Sequence, residues 1–279
     1  MVALAAQPIN EKKVLSMIVN SWSEDFKKRY GVDLPTDYCS WDLETTGFSK
    51  TDLIVEIGHC IAHDGQAVHR MNAVLDWTKH EYVDQKWLKE RLEYVRKQVE
   101  FDKDGKPTGK KYHMTYDRMA AEGQPPEEVL EFYFNLFWKM RQNDGFWIGQ
   151  NLLSFDERVF NQHLQEFVGY EWKFEQDEVF DVGAIFKATN LTLLPYKDES
   201  LRKYFTRVNQ ASGKGLKWNI EACMEHYKLR DKYAEHLAGG ECHTAGFDCY
   251  VCQLIFEEQR RLVKGAPRNN ARSSKEVQS

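Results

Sequence analysis

Three segments near the start of the chain most constrain its fold. Residues 38–44, 53–62 and 66–75 are rich in aliphatic and aromatic residues and have the length of strands. The dipeptide Asp64-Gly65 separates the second segment from the third, and it is typical of a two-residue hairpin turn. The sequence therefore predicts an antiparallel beginning of three strands.

The remaining chain alternates helical patterns with short apolar segments. A buried strand is predicted over 145–150, and a strand that runs into a helix from Asp177 to Phe186. Residues 197–217 are predicted to be an irregular basic connection, and 102–111 a mobile basic loop. Helices are predicted over 10–30, 84–99, 127–141, from Ser154 (capped by a Ser-x-x-Glu box with Glu157), 217–229 and 244–262. This order predicts an α/β fold with a mixed sheet flanked by helices.

Composition sets the broad class of protein. A chain of 279 residues with 42% apolar residues can bury one large core. No apolar run approaches the ~20 residues that span a bilayer, and Met1 to Ala6 is too short for a secretory signal. Six cysteines in a chain of this length do not suggest a disulfide scaffold. We therefore expect a protein of the cytoplasm.

Two carboxylates stand at the end of the first predicted strand, in Trp41-Asp42-Leu43-Glu44-Thr45-Thr46-Gly47. Alternate residues of a strand project from the same face, so Asp42 and Glu44 lie side by side. Their mutual repulsion is relieved when a hard divalent cation binds between them. An acidic pair also suits a solvated strand, so the rest of the chain must decide.

Further candidate ligands follow later in the chain. Asp156 lies in the first turn of a helix after a buried strand, where ligand sites collect, although an acidic residue there also stabilises a helix start. Asp248 belongs to the last helix, and His243 lies at its beginning. Five helical residues rotate a side chain by ~140°, so the two converge only if His243 is in the preceding loop. Histidine suits a general base at neutral pH, or else it caps the helix or packs in the core.

Taken together, these residues resemble the three motifs of the DEDDh 3′→5′ exonucleases. The matching segments are Asp42-x-Glu44 with Thr45-Thr46-Gly47, Asn151-x-x-x-Phe155-Asp156 and His243-x-x-x-x-Asp248. That family includes the proofreading subunit of bacterial replicative polymerases, ribonuclease T and oligoribonuclease. The resemblance covers roughly residues 38–262 and implies the ribonuclease-H-like fold.

The resemblance implies a metal-dependent 3′→5′ exonuclease that releases nucleoside 5′-monophosphates from DNA or RNA. Two Mg²⁺ or Mn²⁺ ions would serve as cofactors. Asp42, Glu44 and Asp248 would ligate the ion beside the attacking water, with Asp42 bridging to the second ion. Asp156 would act directly or through a water. His243 would take the proton from the attacking water.

The resemblance also implies contacts with the single-stranded 3′ end of a nucleic acid. Thr45 would lie against the terminal nucleotide. The segment Tyr112-His113-Met114-Thr115 is similar to the family segment that packs on the terminal base, with Met114 where glycine is usual. The complete set of candidate substrate-binding residues is Thr45, Thr46, His113, Asn151 and Phe155. Discrimination between DNA and RNA depends on 2′-hydroxyl contacts, which these residues do not identify.

The resemblance divides the chain into three parts. Residues 1–37 are an N-terminal helical extension, 38–262 the DEDDh exonuclease domain, and 263–279 a basic flexible tail. A basic insertion near 79–111 has no obvious family counterpart, and it would extend substrate contact or bind a partner protein. The net charge is −5, so the basic stretches are local, as in an enzyme that grips phosphates.

Two alternatives accompany this interpretation. The chain could be a nucleic-acid-binding or assembly module that keeps the exonuclease fold with little turnover. A zinc site could be formed by Cys223, His226, His236 and Cys242, although their spacing fits no common zinc finger. Cys249 and Cys252 form a C-x-x-C pair, for which burial as small apolar residues is the simpler explanation.

Overall fold

A computed structural model describes residues 11–21, 34–47, 49, 51–109, 111–196, 199–213, 216–238 and 243–264. Within these ranges the chain forms a five-stranded sheet in the order β3-β2-β1-β4-β5. The strands are β1 (Tyr38–Thr45), β2 (Ile54–His63), β3 (Gln66–Val74), β4 (Trp147–Gly149) and β5 (Val179–Asp181). The first three are antiparallel, and β4 and β5 run parallel to β1. The predicted mixed α/β sheet is confirmed.

The hairpin between β2 and β3 forms where its turn residues predict it. Asp64 and Gly65 have φ values of 50° and 74°. Both therefore adopt the left-handed backbone that a two-residue turn between twisted strands requires. The hairpin fixes the register of β2 against β3.

Helices flank the sheet on both faces. They are α1 (Glu11–Ser21), α2 (Gln85–Glu100), α3 (Tyr116–Glu122), α4 (Pro126–Gln142), α5 (Asp156–His163), α6 (Val182–Leu191), α7 (Leu201–Gln210), α8 (Ile220–His226), α9 (Leu229–Lys232), α10 (Ala234–Leu237) and α11 (Ala245–Lys264). Helix α11 packs across β1 and β2. None of the helices in the described ranges has the length and apolar character that crossing a membrane requires.

Strand β1 separates two apolar cores. Cys39, Trp41 and Leu43 point into the core on one side, together with residues of α4 and α5. Tyr38 points into the core on the other side, beneath α11, where its hydroxyl donates to Glu257 at 2.8 Å. Because side chains alternate along a strand, the even-numbered residues of β1 all face α11.

The N-terminal helix is part of this second core. Val14 and Ile18 in α1 are 0% and 1% exposed, and α1 packs against α6 and α11. Of the helix predicted over 10–30, the part outside α1 is not among the described residues. At the other terminus α11 continues through Lys264 and so includes the first two residues of the predicted tail; residues 265–279 lie outside the description.

The prediction of an irregular segment over 197–217 is wrong for its middle. Helix α7 begins after Ser200, whose hydroxyl accepts a hydrogen bond from the Lys203 backbone N–H. One face of α7 is buried, as the spacing of its apolar residues allows: Leu201, Tyr204, Phe205 and Val208. The basic residues between them obscure this helical period in the sequence.

The predicted capping box at Ser154 is also wrong. Helix α5 begins at Asp156, two residues later, and no side chain caps it. Glu157 instead accepts hydrogen bonds from the Arg202 guanidinium at 2.5 and 2.9 Å and from the Phe174 N–H at 2.7 Å. The Glu157 carboxylate therefore pairs with a partly buried arginine and does not cap the helix.

Two further helices differ from prediction. The helix predicted over 217–229 begins at Ile220 and ends at His226, and Lys228 with φ 54° separates it from α9. Helix α3 has no predicted counterpart; Thr115 caps its start by accepting from the Arg118 N–H.

The basic insertion near 79–111 contains α2, close to its predicted bounds. Asp84 caps α2, and Leu88 and Leu92 are buried. The Arg91 guanidinium makes two hydrogen bonds to the Asp52 carboxylate, at 2.7 and 3.0 Å. This pair ties the insertion to the loop that follows β1.

Candidate active site

Strand β1 places Asp42 and Glu44 on the face covered by α11. Asp42 lies opposite Gly58 of β2, and Glu44 lies opposite Glu56. Both acidic side chains are half-buried. They are therefore reachable from solvent while most of their surroundings are protein.

The start of α11 is held close to this acidic pair. Gly58 has no side chain, and a Cβ there would lie 2.3 Å from the Ala245 carbonyl carbon. The Ala245 N–H donates to Glu56 Oε2 at 3.2 Å, and the Gly246 N–H donates to Asn72 Oδ1 at 2.9 Å. These contacts fix the first turn of α11, which contains Asp248, against β2 and β3.

His243 lies just before α11, in the loop position that convergence with Asp248 requires. Its backbone is left-handed, with φ 69°, and its N–H donates to Asp248 Oδ2 at 3.2 Å. Ligand atoms of Glu44, His243 and Asp248 lie within 4.8 Å of one another. In the part of the chain that the structure describes, these three form the group of carboxylate and imidazole ligands able to hold a metal ion.

Asp42 and Asp156 are not members of that group but border it. Asp156 Oδ1 accepts a hydrogen bond from the Leu43 N–H at 3.2 Å, which brings the start of α5 against β1. Asp156 is buried, with an exposed fraction of 3%. The charges of Asp156 and Asp248 both act on Asp42. All four predicted carboxylates thus gather around the same stretch of β1.

The environment opposes ionisation of three of these carboxyl groups, those of Asp42, Glu44 and Asp156. Burial raises the pKa of Asp42 well above its ordinary value, and the charges of Asp156 and Asp248 raise it further. Burial, followed by the charges of Asp248 and Glu56, raises the pKa of Glu44 in the same way. For Asp156, burial raises the pKa to about 8. A bound cation would remove this penalty, so the donor set fits a divalent metal ion with oxygen ligands.

The sequence prediction missed a further carboxylate at the site. Glu56 is buried directly across from Glu44, and its Oε1 lies 2.7 Å from Nη2 of Arg118. An acidic residue inside the apolar run 53–57 is a signal that the sequence carries, because buried carboxylates need a partner or a function. The partner, Arg118, comes from α3, and no sequence pattern indicates it.

Glu221 is a second residue that the prediction missed. Its Oε1 lies 3.2 Å from His243 Nε2, and both side chains are about 30% exposed. Glu221 lies in the first turn of α8, which approaches the site only in the folded chain. Nothing local in the sequence points to this contact.

The two predicted substrate-binding threonines differ in their surroundings. The Thr45 hydroxyl donates to the Gly47 carbonyl at 2.7 Å and is half-buried. Thr46 is fully buried; its hydroxyl donates to Asp52 Oδ1 and accepts from the Leu53 N–H, both at 2.9 Å. The Thr46 side chain therefore shapes the loop and is not exposed to a ligand.

The other predicted substrate-binding residues lie on separate segments. His113 is half-buried, and its carbonyl accepts from Arg118 at 3.4 Å. Burial and then the charge of Glu44 raise the pKa of the neighbouring Tyr112, so this segment is near the acidic pair. Asn151 is exposed with φ 59°, and Phe155 is half-buried immediately before Asp156 in the sequence.

A pocket of about 600 Å³ opens beside His243 and Asp248. Its other walls come from the loop after β4 and from the segment between α7 and α8. The remaining lining residues are Gln150, Asn151, Asn209, Leu216, Lys217, Trp218, Asn219, Ile220 and Glu221.

The alternative zinc group gains no support from the described residues. Cys223 is buried, whereas His226 Nε2 lies 3.4 Å from a Glu11 carboxylate oxygen. Cys242 lies outside the described ranges. Cys249 and Cys252 on α11 are buried free thiols, consistent with packing as small apolar residues.

The order and direction of the strands, with helices on both faces, match the ribonuclease-H-like fold that the sequence predicts. No protein-family model matches the chain, and no curated protein matches it. Solved structures of exonuclease I share the fold. The zinc-bound form of the E. coli exonuclease I complex with single-stranded DNA is 13% identical with a TM-score of 0.53, over 82% of this chain and 42% of that one.

Two other exonuclease I structures give the same result. A product-bound structure is 14% identical with a TM-score of 0.50, over 82% of this chain and 45% of that one. A structure described as suggesting how processivity is achieved is 14% identical with a TM-score of 0.51, over 82% and 43%. The chain thus spans less than half the length of these exonuclease I chains. At such identities the similarity establishes the fold.

Proposed function

We propose that the protein is a metal-dependent 3′→5′ exonuclease that hydrolyses phosphodiester bonds of DNA or RNA and releases nucleoside 5′-monophosphates. The observation that carries this proposal is the convergence of Glu44, His243 and Asp248 within 4.8 Å, bordered by Asp42 and Asp156. The fold that it shares with exonuclease I in complex with single-stranded DNA supports a nucleic-acid substrate. We assign the domain to residues 38–262.

The carboxylates are proposed to hold two divalent ions, Mg²⁺ or Mn²⁺. Asp42, Glu44 and Asp248 would bind the ion beside the attacking water, and Asp42 would also bind the second; Asp156 would act directly or through a water. The raised pKa values of Asp42, Glu44 and Asp156 support the assignment, because a cation would stabilise their ionised forms. The bound ions would supply a more acidic water and neutralise charge on the phosphoryl oxygens.

The protein's own residues would handle the proton and the substrate. His243 would take the proton from the attacking water as the water oxygen attacks phosphorus. The bond between phosphorus and the 3′ oxygen of the preceding nucleotide breaks, and that oxygen takes a proton from solvent. Glu221, whose Oε1 lies 3.2 Å from His243 Nε2, would orient the imidazole.

Substrate contacts are proposed on both sides of the acidic cluster. Thr45 and the segment at His113 would hold the terminal nucleotide, and Asn151 and Phe155 would contact the strand near Asp156. Thr46 would contribute through the loop that its buried hydroxyl stabilises.

Two assignments concern the setting of the protein. The insertion near 79–111 would extend substrate contact or bind a partner protein, because Arg91 links it to the loop after β1. The buried free thiols of the described cysteines suit a reducing compartment such as the cytoplasm.

The proposed function is tested by a time course with 5′-labelled single-stranded DNA, duplex DNA and RNA in Mg²⁺ or Mn²⁺. We expect at least one polymer to shorten stepwise from its 3′ end, and Asp42→Asn to abolish the shortening. Asp231→Asn is the matched control, because Asp231 is exposed on α9, outside the acidic cluster and outside the insertion.

A different outcome would favour the alternative function. The proposal would be contradicted if all three polymers stayed at full length in both metals while the protein bound them equally well with and without EDTA. That outcome would indicate a nucleic-acid-binding module with little turnover.

A further inference from the structure

The pocket beside His243 and Asp248 is large enough for a nucleotide. Its volume of about 600 Å³ falls within the ~300–1,000 Å³ that is usual for small-molecule sites. Thr45 and His113, the proposed contacts of the terminal nucleotide, are not among its lining residues. The pocket therefore offers a separate space next to the metal ligands.

Trp218 forms an aromatic wall of this pocket, and neighbouring residues hold it in place. The ring is half-buried, and Lys187 Nζ lies 3.9 Å from its centroid. Lys187 is itself anchored, because its ammonium donates to the Asn209 carbonyl at 2.8 Å. Gln150 Nε2 donates to the Trp218 carbonyl at 2.5 Å. An indole fixed in this way loses little entropy when a planar ligand stacks on it.

The polar part of the lining is also fixed in place. The Asn151 N–H and the Asn209 amide both donate to Asp181 Oδ2, at 3.0 and 2.8 Å. Lys217 is exposed at the pocket and can approach a phosphate. Glu221, the acid among the lining residues apart from Asp248, is paired with His243. Aromatic, amide and ammonium groups together suit a single-stranded nucleotide.

We propose that this pocket binds the nucleotide on the 5′ side of the scissile phosphate, with its base stacked on Trp218. The inference rests on the proposed function, since it takes the terminal nucleotide to lie at Thr45 and His113. A strand that passes over the metal ligands then continues at His243 and Asp248, where the pocket begins. Because every base has a stacking face, the site would select an unpaired strand and tolerate any base.

Two substrates separate this proposal from the function itself. A single-stranded oligonucleotide carries the preceding nucleotide. The p-nitrophenyl ester of thymidine 5′-monophosphate carries the terminal nucleotide and the phosphate, but has nitrophenolate in place of the preceding nucleotide. We expect Trp218→Ala to raise KM for the oligonucleotide by about tenfold or more and to leave hydrolysis of the ester unchanged. Trp218→Phe should keep most of the affinity for the oligonucleotide. Trp138→Ala, which removes a half-exposed indole on α4, should leave the hydrolysis of both substrates unchanged.

Three other outcomes would contradict the proposal. An equal loss with both substrates in Trp218→Ala would overturn the proposal, because Trp218 would then support the acidic cluster or the terminal nucleotide. Unchanged KM for the oligonucleotide would overturn it while leaving the exonuclease function intact. Failure of the unaltered protein to hydrolyse either substrate would refute the proposed function, and the assignment of the pocket with it.

Discussion

His243 occupies a position that combines access with support. Its backbone adopts φ 69°, its ring lies within 4.8 Å of ligand atoms of Glu44 and Asp248, and Glu221 contacts its Nε2. The side chain remains about 30% exposed. A histidine in this place can reach a water at the acidic cluster and can also exchange its proton with solvent.

Replacement of His243 should therefore affect turnover far more than folding. We expect His243→Ala to lower kcat by about 10²–10⁴-fold, with little change in Tm because the ring is partly exposed. Glu221→Ala should lower kcat less than His243→Ala does. Glu221→Gln, which keeps an oxygen acceptor, should lower kcat less again. Steady-state hydrolysis of a single-stranded oligonucleotide measures all three. Full kcat in His243→Ala would exclude it as the general base.

The sequence predicts the residues whose chemistry is tied to local spacing. Asp42 and Glu44 share a face because strands have a period of two, and Asp64-Gly65 forms its hairpin because both residues tolerate positive φ. Glu221 could not be predicted, because its contact with His243 depends on how α8 packs. Glu56 was detectable as an acid in an apolar strand, but its position opposite Glu44 depends on the register of β2.

At the scale of elements, the site depends on how closely α11 approaches β2. Gly58 permits this approach, since a Cβ there would meet the backbone of Ala245 and Gly246. The helix carries Asp248, so a shift of its first turn would move a proposed metal ligand. Close packing of β2 and α11 is thus a condition for the geometry of the cluster.

Gly58→Ala tests this dependence. We expect a loss of about 1–3 kcal/mol in the free energy of unfolding from overpacking, together with a fall in kcat, because Asp248 moves relative to Glu44. Gly145→Ala is the matched control: its Cβ would lie 2.7 Å from the Met140 carbonyl oxygen, in the turn after α4. The control should lose stability and keep kcat. Equal kcat values in the two variants would refute the role of the close approach.

Element predictions fail where side-chain contacts compete with local signals. Ser154 and Glu157 have the spacing of a capping box, yet Glu157 accepts hydrogen bonds from Arg202 and the helix begins at Asp156. The apolar residues of α7 alternate with basic residues, so the helical period is difficult to detect in the sequence. In both cases the deciding partner is distant in sequence.

At the scale of the whole molecule, the N-terminal helix contributes to the same core as α11. Ile18→Ala should lower the free energy of unfolding by about 2–5 kcal/mol, because Ile18 is 1% exposed. The kcat of the folded protein should not change, since α1 does not contribute to the site. Lys13→Ala, on the exposed face of α1, is the control. Chemical denaturation followed by fluorescence measures both, and equal stability of the two variants would contradict the packing.

The proposed metal site should couple stability to pH across the whole molecule. The pKa of Asp156 is raised from 3.8 to about 8, so the folded state binds a proton more tightly than the unfolded state. In EDTA this contribution to stability is present below about pH 4 and is lost as pH rises towards 8. A divalent ion binds the ionised carboxylates, so Mg²⁺ or Mn²⁺ should raise Tm more at pH 8 than at pH 5.5.

Thermal melting at the two pH values, with metal and with EDTA, measures this coupling. Asp156→Asn should weaken the pH dependence in EDTA, because the amide does not titrate. A rise in Tm with metal that is equal at both pH values, in the unaltered protein and in the variant, would contradict a carboxylate metal site.

The central claim is that the acidic cluster hydrolyses the terminal phosphodiester bond at a 3′ end. A single-stranded oligonucleotide labelled at the phosphate of its 3′-terminal nucleotide tests it most directly. With Mg²⁺ or Mn²⁺ we predict that the first labelled product is a nucleoside 5′-monophosphate, and that Asp42→Asn forms none. A labelled oligonucleotide as the first product, or undiminished release by Asp42→Asn, would contradict the claim.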